Sequence, residues 1–227
     1  MNGFRILKRR RSVDPELVRQ FAELPVANVG DCMSHMTAAG PRLRPMHAAG
    51  RMAGPALTVK SRPGDNLMVH KAIELARPGD VIVVDAGGDL TNAIIGEIMV
   101  FMATRVGLAG FVINGAIRDA DAISAGTLPV FAAGVTHRGP YKDGPGEINV
   151  PVAIDGMVIE PGDLIIGDGD GDGVLCVPYG SAQALLEAGR AKAAAEAEMI
   201  AQIESGTYSS TWVDATLRKG SCTVEHD

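Results

Sequence analysis

The feature of this sequence that most constrains its fold is the alternation of apolar strands and helices between residues 55 and 133. Val81–Val84 and Phe111–Ile113 are continuous apolar runs, which are typical of parallel strands buried on both faces of a sheet. Helical segments follow these runs, from about Gly96 to Val106 and from Asp119 to Ala125. Strands that alternate with helices in this order form βαβ units, so the sequence predicts an α/β fold.

The second half of the chain has a different pattern. From about residue 134, short apolar runs are separated by turns that contain Gly and Asp, and this spacing predicts a β-meander or a small barrel. A helix is then predicted from Ser181 to about Glu204. We therefore expect a single domain over residues 1–205 and a C-terminal tail over residues 206–227.

Charge and composition narrow the range of partners. The formal net charge is −6 and aromatic residues make up 4% of the chain, so we expect no nucleic-acid-binding surface. The basic run Lys8–Arg11 is a local exception, either a solvated N-terminal arm or a docking patch for an acidic partner. The three cysteines lie far apart, which is typical of reduced thiols, and no apolar run is long enough to span a membrane. We expect a cytoplasmic protein.

The pair Arg118–Asp119 comes shortly after the apolar strand that begins at Phe111, and two interpretations of it are open. In the first, Asp119 caps the next helix and Arg118 is a surface residue. In the second, the planar guanidinium of Arg118 binds a substrate carboxylate. Asp119 is then an oxygen ligand for Mg²⁺ or Mn²⁺, ions that often take only one or two carboxylates from a protein.

A second candidate is the predicted helix start Gly96–Met99, which follows the glycine turn Gly87–Gly88. Gly96 would let a ligand approach the backbone, and the first N–H groups of a helix can hold a carboxylate. The same residues also fit an ordinary loop before a helix. The acidic turn Asp168–Gly173 imitates the start of a calcium loop, but Tyr179 stands where such a loop needs a glutamate. We interpret it as a tight turn between two strands.

The last predicted helix carries a carboxylate on its apolar face. Glu196 lies in the middle of a stripe of apolar or small residues at helical spacing, whereas Glu198 points the opposite way. The members of this stripe are Leu185, Gly189, Met199, Ile200 and Ile203. A carboxylate in that position should be paired or in use, so Glu196 either meets a cation of a neighbouring subunit or takes part in catalysis.

Together these segments resemble a known family. The turn Gly87–Gly88, the helix start Gly96–Met99 and the strand from Gly107 that ends in Arg118–Asp119 are similar to the core of the class II HMG/CHA aldolases. These are 4-hydroxy-4-methyl-2-oxoglutarate and 4-carboxy-4-hydroxy-2-oxoadipate aldolases, in the superfamily of the regulator of ribonuclease activity A. The resemblance spans roughly residues 20–205. It implies an α/β fold of the swivelling phosphohistidine-domain type (β/β/α), assembled as homotrimers or homohexamers with sites between subunits.

The resemblance also implies a reaction. It is the divalent-metal-dependent retro-aldol cleavage of 4-hydroxy-2-oxo acids to pyruvate and a second oxo acid, as in aromatic catabolism, with oxaloacetate decarboxylation as a side activity. Asp119 would bind the metal, most often Mg²⁺ and alternatively Mn²⁺. Arg118 and the backbone of Gly96, Glu97, Ile98 and Met99 would bind the pyruvate half of the substrate.

The remaining roles that the resemblance implies belong to acidic side chains. Glu97 would hold water close to the metal. Glu196, with Glu198 as the second choice, would be the glutamate that the C-terminal helix contributes to the site of the adjacent subunit. The position of Glu196 on the apolar stripe favours it over Glu198.

Two other functions remain open. One is a Schiff-base aldolase that uses a lysine such as Lys60 or Lys71, although no feature of the sequence marks a buried lysine. The other is a regulator without catalytic activity that binds ribonuclease E or a helicase, as some members of the superfamily do. A regulator would not need Arg118, Asp119 and two acidic residues together, so the sequence favours the enzyme.

Overall fold

The computed structural model describes residues 3–34, 37, 39–169 and 173–223. The helices in these ranges are α1 (Pro15–Phe21), α2 (Val26–Asp31), α3 (Leu67–Leu75), α4 (Glu97–Val106), α5 (Ala120–Ala125), α6 (Ala182–Glu204) and α7 (Thr211–Lys219). The strands are β1 (Phe4–Ile6), β2 (Arg44–Pro45), β3 (Met52–Ser61), β4 (Val81–Asp85), β5 (Ala93–Ile95), β6 (Gly110–Ile117), β7 (Val130–Val135), β8 (Gly146–Ile148), β9 (Val152–Ile154), β10 (Met157–Ile159), β11 (Leu164–Asp168) and β12 (Gly173–Val177).

One large mixed sheet forms the centre of the fold. Its main path is β1-β8-β3-β4-β6-β7-β2, and β3, β4, β6 and β7 run parallel. Ile82 and Val84 face the core shared with α3 and α4, whereas Val81 and Val83 face the core shared with β9 and β10. All four side chains are fully buried, as expected for a strand covered on both faces. The predicted α/β fold is confirmed.

The second half of the chain is not a separate meander or barrel, so that prediction was wrong. β11 pairs antiparallel with the first four residues of β3, and β8 pairs antiparallel with the last three residues of β3. β4 pairs with the opposite edge of β3. β3 is long enough, at ten residues, to have both neighbours on one edge. Only the hairpin β9–β10 forms a sheet of its own among the described residues.

Some elements have no clear local signal in the sequence. β5 is only three residues long, and α7 lies in the predicted tail. The end of α6 at Glu204 is as predicted.

Within the described ranges, none of the helices combines the length and the apolar character needed to cross a bilayer.

The basic run Lys8–Arg11 is not a solvated arm, as the first interpretation had it. Arg9 Nη1 donates to Asp80 Oδ1 at 2.7 Å, and the two side chains are 11% and 2% exposed. Arg11 Nη2 lies 3.3 Å from the nearly buried Asp163 Oδ1. Each aspartate also accepts a backbone N–H from its own turn. The run therefore fastens the N-terminal segment to two buried carboxylates.

We expect Arg9→Ala to lower the free energy of unfolding by about 3 kcal/mol, because it leaves the buried carboxylate of Asp80 without its cation. Urea denaturation followed by circular dichroism measures this loss. Arg10→Ala is the matched control, since the Arg10 side chain is exposed and makes no ion pair within the described residues. Equal losses in the two variants would show that the Arg9–Asp80 pair does not hold the segment.

Candidate active site

The candidate site lies where β5 and β6 end, at the carboxyl edge of the sheet. β5 runs parallel to β6 with Ile95 opposite Ile117, and the N–H of Arg118 donates to the carbonyl of Ile95 at 3.0 Å. This pairing places Gly96, directly after β5, beside Arg118 and Asp119, directly after β6. Ligands of open α/β sheets collect at this edge of the sheet.

Asp119 has its backbone in the left-handed region, with φ 56° and ψ 42°. It precedes α5, but its side chain makes no cap hydrogen bond to that helix. Its Oδ2 instead accepts a hydrogen bond from the N–H of Glu97 at 3.0 Å, at the start of α4, and lies 3.6 Å from Arg118 Nε. The carboxylate therefore caps α4, not α5 as the helix-cap interpretation had it. A non-glycine residue in this conformation is uncommon and often marks a functional site.

Gly96 is the point where the start of α4 comes closest to the end of β6. A Cβ atom on Gly96 would lie 2.5 Å from Asp119 Oδ2 and 2.9 Å from Cγ and Nε of Arg118. The φ of Gly96 is −147°, which any residue adopts, so the constraint is space and not backbone conformation. Because this position has no side chain, Asp119 can reach the first turn of α4.

Two of the N–H groups at the start of α4 that were predicted to hold a ligand already donate hydrogen bonds within the protein. The Glu97 N–H donates to Asp119, and the Met99 N–H donates to the carbonyl of Gly96 at 3.1 Å. Among the described residues, the N–H of Ile98 has no hydrogen-bond acceptor. The Ile98 N–H, beside the exposed side chain of Glu97, is thus a backbone donor that the described residues leave for a ligand at this helix start.

A cleft of about 270 Å³ extends from the site between α3, α4 and the loop before β8. Arg118, His70 and Lys142 are its lining side chains that can carry a positive charge, and its described lining includes no carboxylate. Burial lowers the pKa of His70, the charge of Lys142 lowers it further, and Glu74 acts against both. His70 is therefore largely neutral at pH 7, while Arg118 and Lys142 are cations. Such a cleft suits a small acid with two negative groups.

Neither His70 nor Lys142 was singled out by the sequence. His70 lies inside α3 without metal-ligand spacing, and Lys142 lies in a loop that follows no periodic pattern. The clearest signal was the loop itself, because a segment rich in Gly and Pro that interrupts the strands is often functional.

Glu196 lies apart from these residues within the subunit. Asn28 Nδ2 donates to its Oε2 at 2.6 Å, and Lys192 Nζ lies 3.3 Å from its Oε1. Lys192 also lies 3.1 Å from Asp31 Oδ2, so Asp31 and Glu196 share one cation. The sequence did not point to Asp31. Because α6 packs against α1 and α2, the structure does not bring Glu196 next to Arg118 in the same subunit.

The two lysines considered for a Schiff base do not stand out in the structure. Lys60 is exposed, and Lys71 is partly exposed and pairs with Glu74 at 2.7 Å. In the acidic turn, Asp168 Oδ2 accepts a hydrogen bond from the N–H of Val26 at 2.8 Å, which is a structural role. Residues 170–172 of that turn lie outside the described residues.

The Arg–Asp pair, the glycine at the facing helix start and the cationic cleft thus meet at the carboxyl ends of strands, where open α/β sheets bind their ligands. The chain belongs to the RraA-like family: the model of that family, described as Aldolase/RraA, matches residues 26–175. The resemblance inferred from the glycine turn and the Arg–Asp pair is thereby confirmed.

Individual relatives agree with this assignment. A protein of Halalkalibacterium halodurans that bears the provisional name 4-hydroxy-4-methyl-2-oxoglutarate aldolase is 42% identical over 179 residues, covering 79% of this chain and 84% of that protein. A solved structure from Pseudomonas syringae has a TM-score of 0.77 and 27% identity, covering 87% of this chain and 96% of that one. RraAS2 of Streptomyces coelicolor, described as an unusual member of the RNase ES inhibitor RraA family, has a TM-score of 0.72 and 27% identity, covering 86% and 98%.

Proposed function

We propose that this protein is a lyase that cleaves 4-hydroxy-2-oxo dicarboxylic and tricarboxylic acids, such as 4-hydroxy-4-methyl-2-oxoglutarate and 4-carboxy-4-hydroxy-2-oxoadipate, to pyruvate and a second oxo acid. The name of the relative at 42% identity supports this reaction. The observation that carries the proposal is the close meeting of Gly96, Arg118 and Asp119, which puts the Asp119 carboxylate beside the guanidinium that lines the cationic cleft.

Arg118 is the residue that binds the carboxylate of the pyruvate half. Its guanidinium carries a fixed charge, matches a carboxylate in shape, and is 42% exposed at the cleft. Ile98 N–H adds a backbone donor on the same side. Lys142 and His70 line the same cleft and would face the second carboxylate of the substrate. With Arg118 at one carboxylate and Lys142 at the other, the cleft would bind an oxo acid that has a negative group at each end.

The metal would be held by Asp119. A cage made of three or more His, Cys, Asp or Glu side chains is not present in the described part of the chain. Mg²⁺ and Mn²⁺ do not need one, since water and substrate oxygens can complete their coordination. The Asp119 side chain is 41% exposed, and only its Oδ2 is engaged by described residues. A bound ion would neutralise the negative charge that develops on the 2-oxo oxygen.

In the cleavage, the proton of the C4 hydroxyl leaves and the C3–C4 bond breaks. C4 becomes the carbonyl carbon of the second oxo acid, and the electron pair goes to the enolate of pyruvate, which gains a proton at C3. We propose that a water molecule takes the hydroxyl proton and that Glu97 or Glu196 holds this water in place. Loss of CO₂ from oxaloacetate gives the same enolate, so we expect this side activity from the same residues.

We also propose that the active unit is a homotrimer or homohexamer. In its first half α6 buries one face on the subunit, with Ala182, Leu186 and Gly189 covered, but its second half and the outer face of α4 expose large apolar side chains. These are Ile98, Phe101, Met102, Met199, Ile200 and Ile203. Adjoining exposed apolar side chains are typical of subunit interfaces. In such an assembly Glu196 would reach the site of a neighbouring subunit.

A pyruvate-release assay tests the proposed function. We expect turnover of di- or tricarboxylic 4-hydroxy-2-oxo acids with Mg²⁺, none after EDTA treatment, and recovery when excess Mg²⁺ is added back, because the enolate charge needs the ion. Lactate dehydrogenase with NADH reports the pyruvate. Full activity in EDTA would contradict the metal mechanism, and borohydride trapping of pyruvate on a lysine would indicate a Schiff base.

The second candidate function is a regulator without catalytic activity, which binds ribonuclease E or a helicase. The likeness to RraAS2, described as a member of an RNase ES inhibitor family, favours this candidate. A regulator has no need for the tight contact between Gly96 and the Arg118–Asp119 pair. The same assay separates the two functions, since a regulator would release no pyruvate from any of the substrates.

A further inference from the structure

Asp65 is a fully buried carboxylate outside the group of residues that would touch the substrate. Its Oδ2 accepts hydrogen bonds from the N–H groups of Asp143 and Gly144, both at 2.8 Å, and lies 3.1 Å from Arg62 Nη2. Its Oδ1 accepts a hydrogen bond from the N–H of Leu67 at 2.9 Å. Burying a charge is costly unless it is paired and hydrogen-bonded, so the partners of Asp65 must stay in place around it.

These partners belong to two different walls of the cleft. Leu67 is the first residue of α3, which carries His70 one turn later. Asp143 follows Lys142 directly in the loop before β8, so a bond to its N–H fixes the backbone next to the lysine. A single buried carboxylate therefore joins the α3 wall to the loop wall.

Neighbouring contacts extend this connection to the third wall. The N–H of Asn66 donates to the carbonyl of Tyr141 at 3.0 Å, and its Nδ2 donates to the carbonyl of Ile94 at 2.9 Å, two residues before Gly96. The Arg62 guanidinium lies over the ring of Tyr141, 5.5 Å from its centroid. The loop, α3 and β5 are thus fixed to one another around Asp65.

We propose that Asp65 is a positioning residue that sets the distance between Lys142 and the Arg118 end of the cleft, and so selects acids with a second carboxylate. This inference rests on the proposed function. Asp65 does not touch the reacting bond, so its loss should weaken binding of the far end of the substrate. Enolisation of pyruvate, which needs only the Arg118 end, should be preserved.

The test is Asp65→Asn, which removes the charge and puts an amide N–H₂ group opposite backbone N–H donors. Lys142→Met is the reference variant for loss of the far-end cation. Asp80→Asn is the matched control, since Asp80 is also buried and also accepts hydrogen bonds from an arginine and from a backbone N–H. Unlike Asp65, it lies just before β4, at the amino ends of the parallel strands and away from the cleft. Two rates are measured for each protein with Mg²⁺, cleavage of the diacid and exchange of the pyruvate methyl protons in D₂O.

We expect both Asp65→Asn and Lys142→Met to raise the KM for the diacid about tenfold. In Asp65→Asn, kcat and the pyruvate exchange rate should stay within about twofold of the wild type. Asp80→Asn should lower the melting temperature but leave KM and exchange unchanged. If Asp65→Asn is too unstable to assay, Arg62→Met should give the same split with a smaller rise in KM. An unchanged KM in the folded variants would overturn the role of Asp65. Absence of cleavage by the wild type would instead overturn the proposed function.

Discussion

Asp119→Ala should lower kcat for pyruvate release about a thousandfold, which corresponds to about 4 kcal/mol of lost transition-state stabilisation. The variant removes the carboxylate that would hold the divalent ion beside Arg118. It also removes the acceptor of the Glu97 N–H, which lies 3.0 Å from Asp119 Oδ2. The measurement is kcat and KM with saturating Mg²⁺, together with the Mg²⁺ concentration that gives half of the maximal rate.

Two companion variants separate metal binding from structure. Asp119→Asn keeps an oxygen for the Glu97 N–H and tolerates the left-handed backbone, yet it removes the charge, so its kcat should also fall by a large factor. Asp121→Ala removes an exposed carboxylate from the first turn of α5 and should leave kcat within about twofold of the wild type. All three should elute from a sizing column as the wild type does. Retained cleavage by Asp119→Ala in an intact oligomer would rule out Asp119 as the metal ligand.

The sequence predicted those parts of the fold that depend on local patterns. The apolar run of β4 and the helix of α4, ended by the left-handed Gly107, follow from periodicity and capping within one segment. Local patterns do not predict that β8 and β11 pair with one edge of β3, because the pairing of distant segments cannot be read from either segment alone. For the same reason the basic run before α1 looked like a free arm, since its acidic partners come much later in the chain.

The site follows the same division. Arg118 and Asp119 could be found because they follow a strand, and Gly96 because it precedes a helix. The cap that Asp119 forms on α4 could not be predicted, because it joins two residues that are 22 positions apart and follow different strands. Lys142 lines the cleft from a loop that is hydrogen-bonded to Asp65 and to other residues near the start of α3, and contacts between segments this far apart leave no local signal. The hydrogen bond between Glu196 and Asn28 spans 168 positions, and no helical-wheel argument contains it.

Gly96→Ala should lower kcat/KM about a hundredfold while the protein stays folded. The new methyl group would lie 2.5 Å from Asp119 Oδ2 and 2.9 Å from two atoms of Arg118, so these side chains or the helix start must move. A displacement of about 1 Å in positioning residues is enough to cost a factor of this size. Steady-state kinetics with the diacid, together with a thermal melt, measures both effects. Gly180→Ala is the control, since a Cβ atom there meets nothing within 4 Å.

The double variant Gly96→Ala/Asp119→Ala distinguishes displacement of Asp119 from a general disturbance of α4. If the added methyl group acts mainly by displacing Asp119, most of its effect disappears once Asp119 is gone, because residues in contact do not contribute additively. We therefore expect the double variant to be no more than about threefold worse than Asp119→Ala alone. A full multiplication of the two losses would mean that Gly96 matters independently of Asp119. The Ile98 N–H at the start of α4 would then be the group to test, because it is a backbone donor close to Gly96 for which the described residues provide no acceptor.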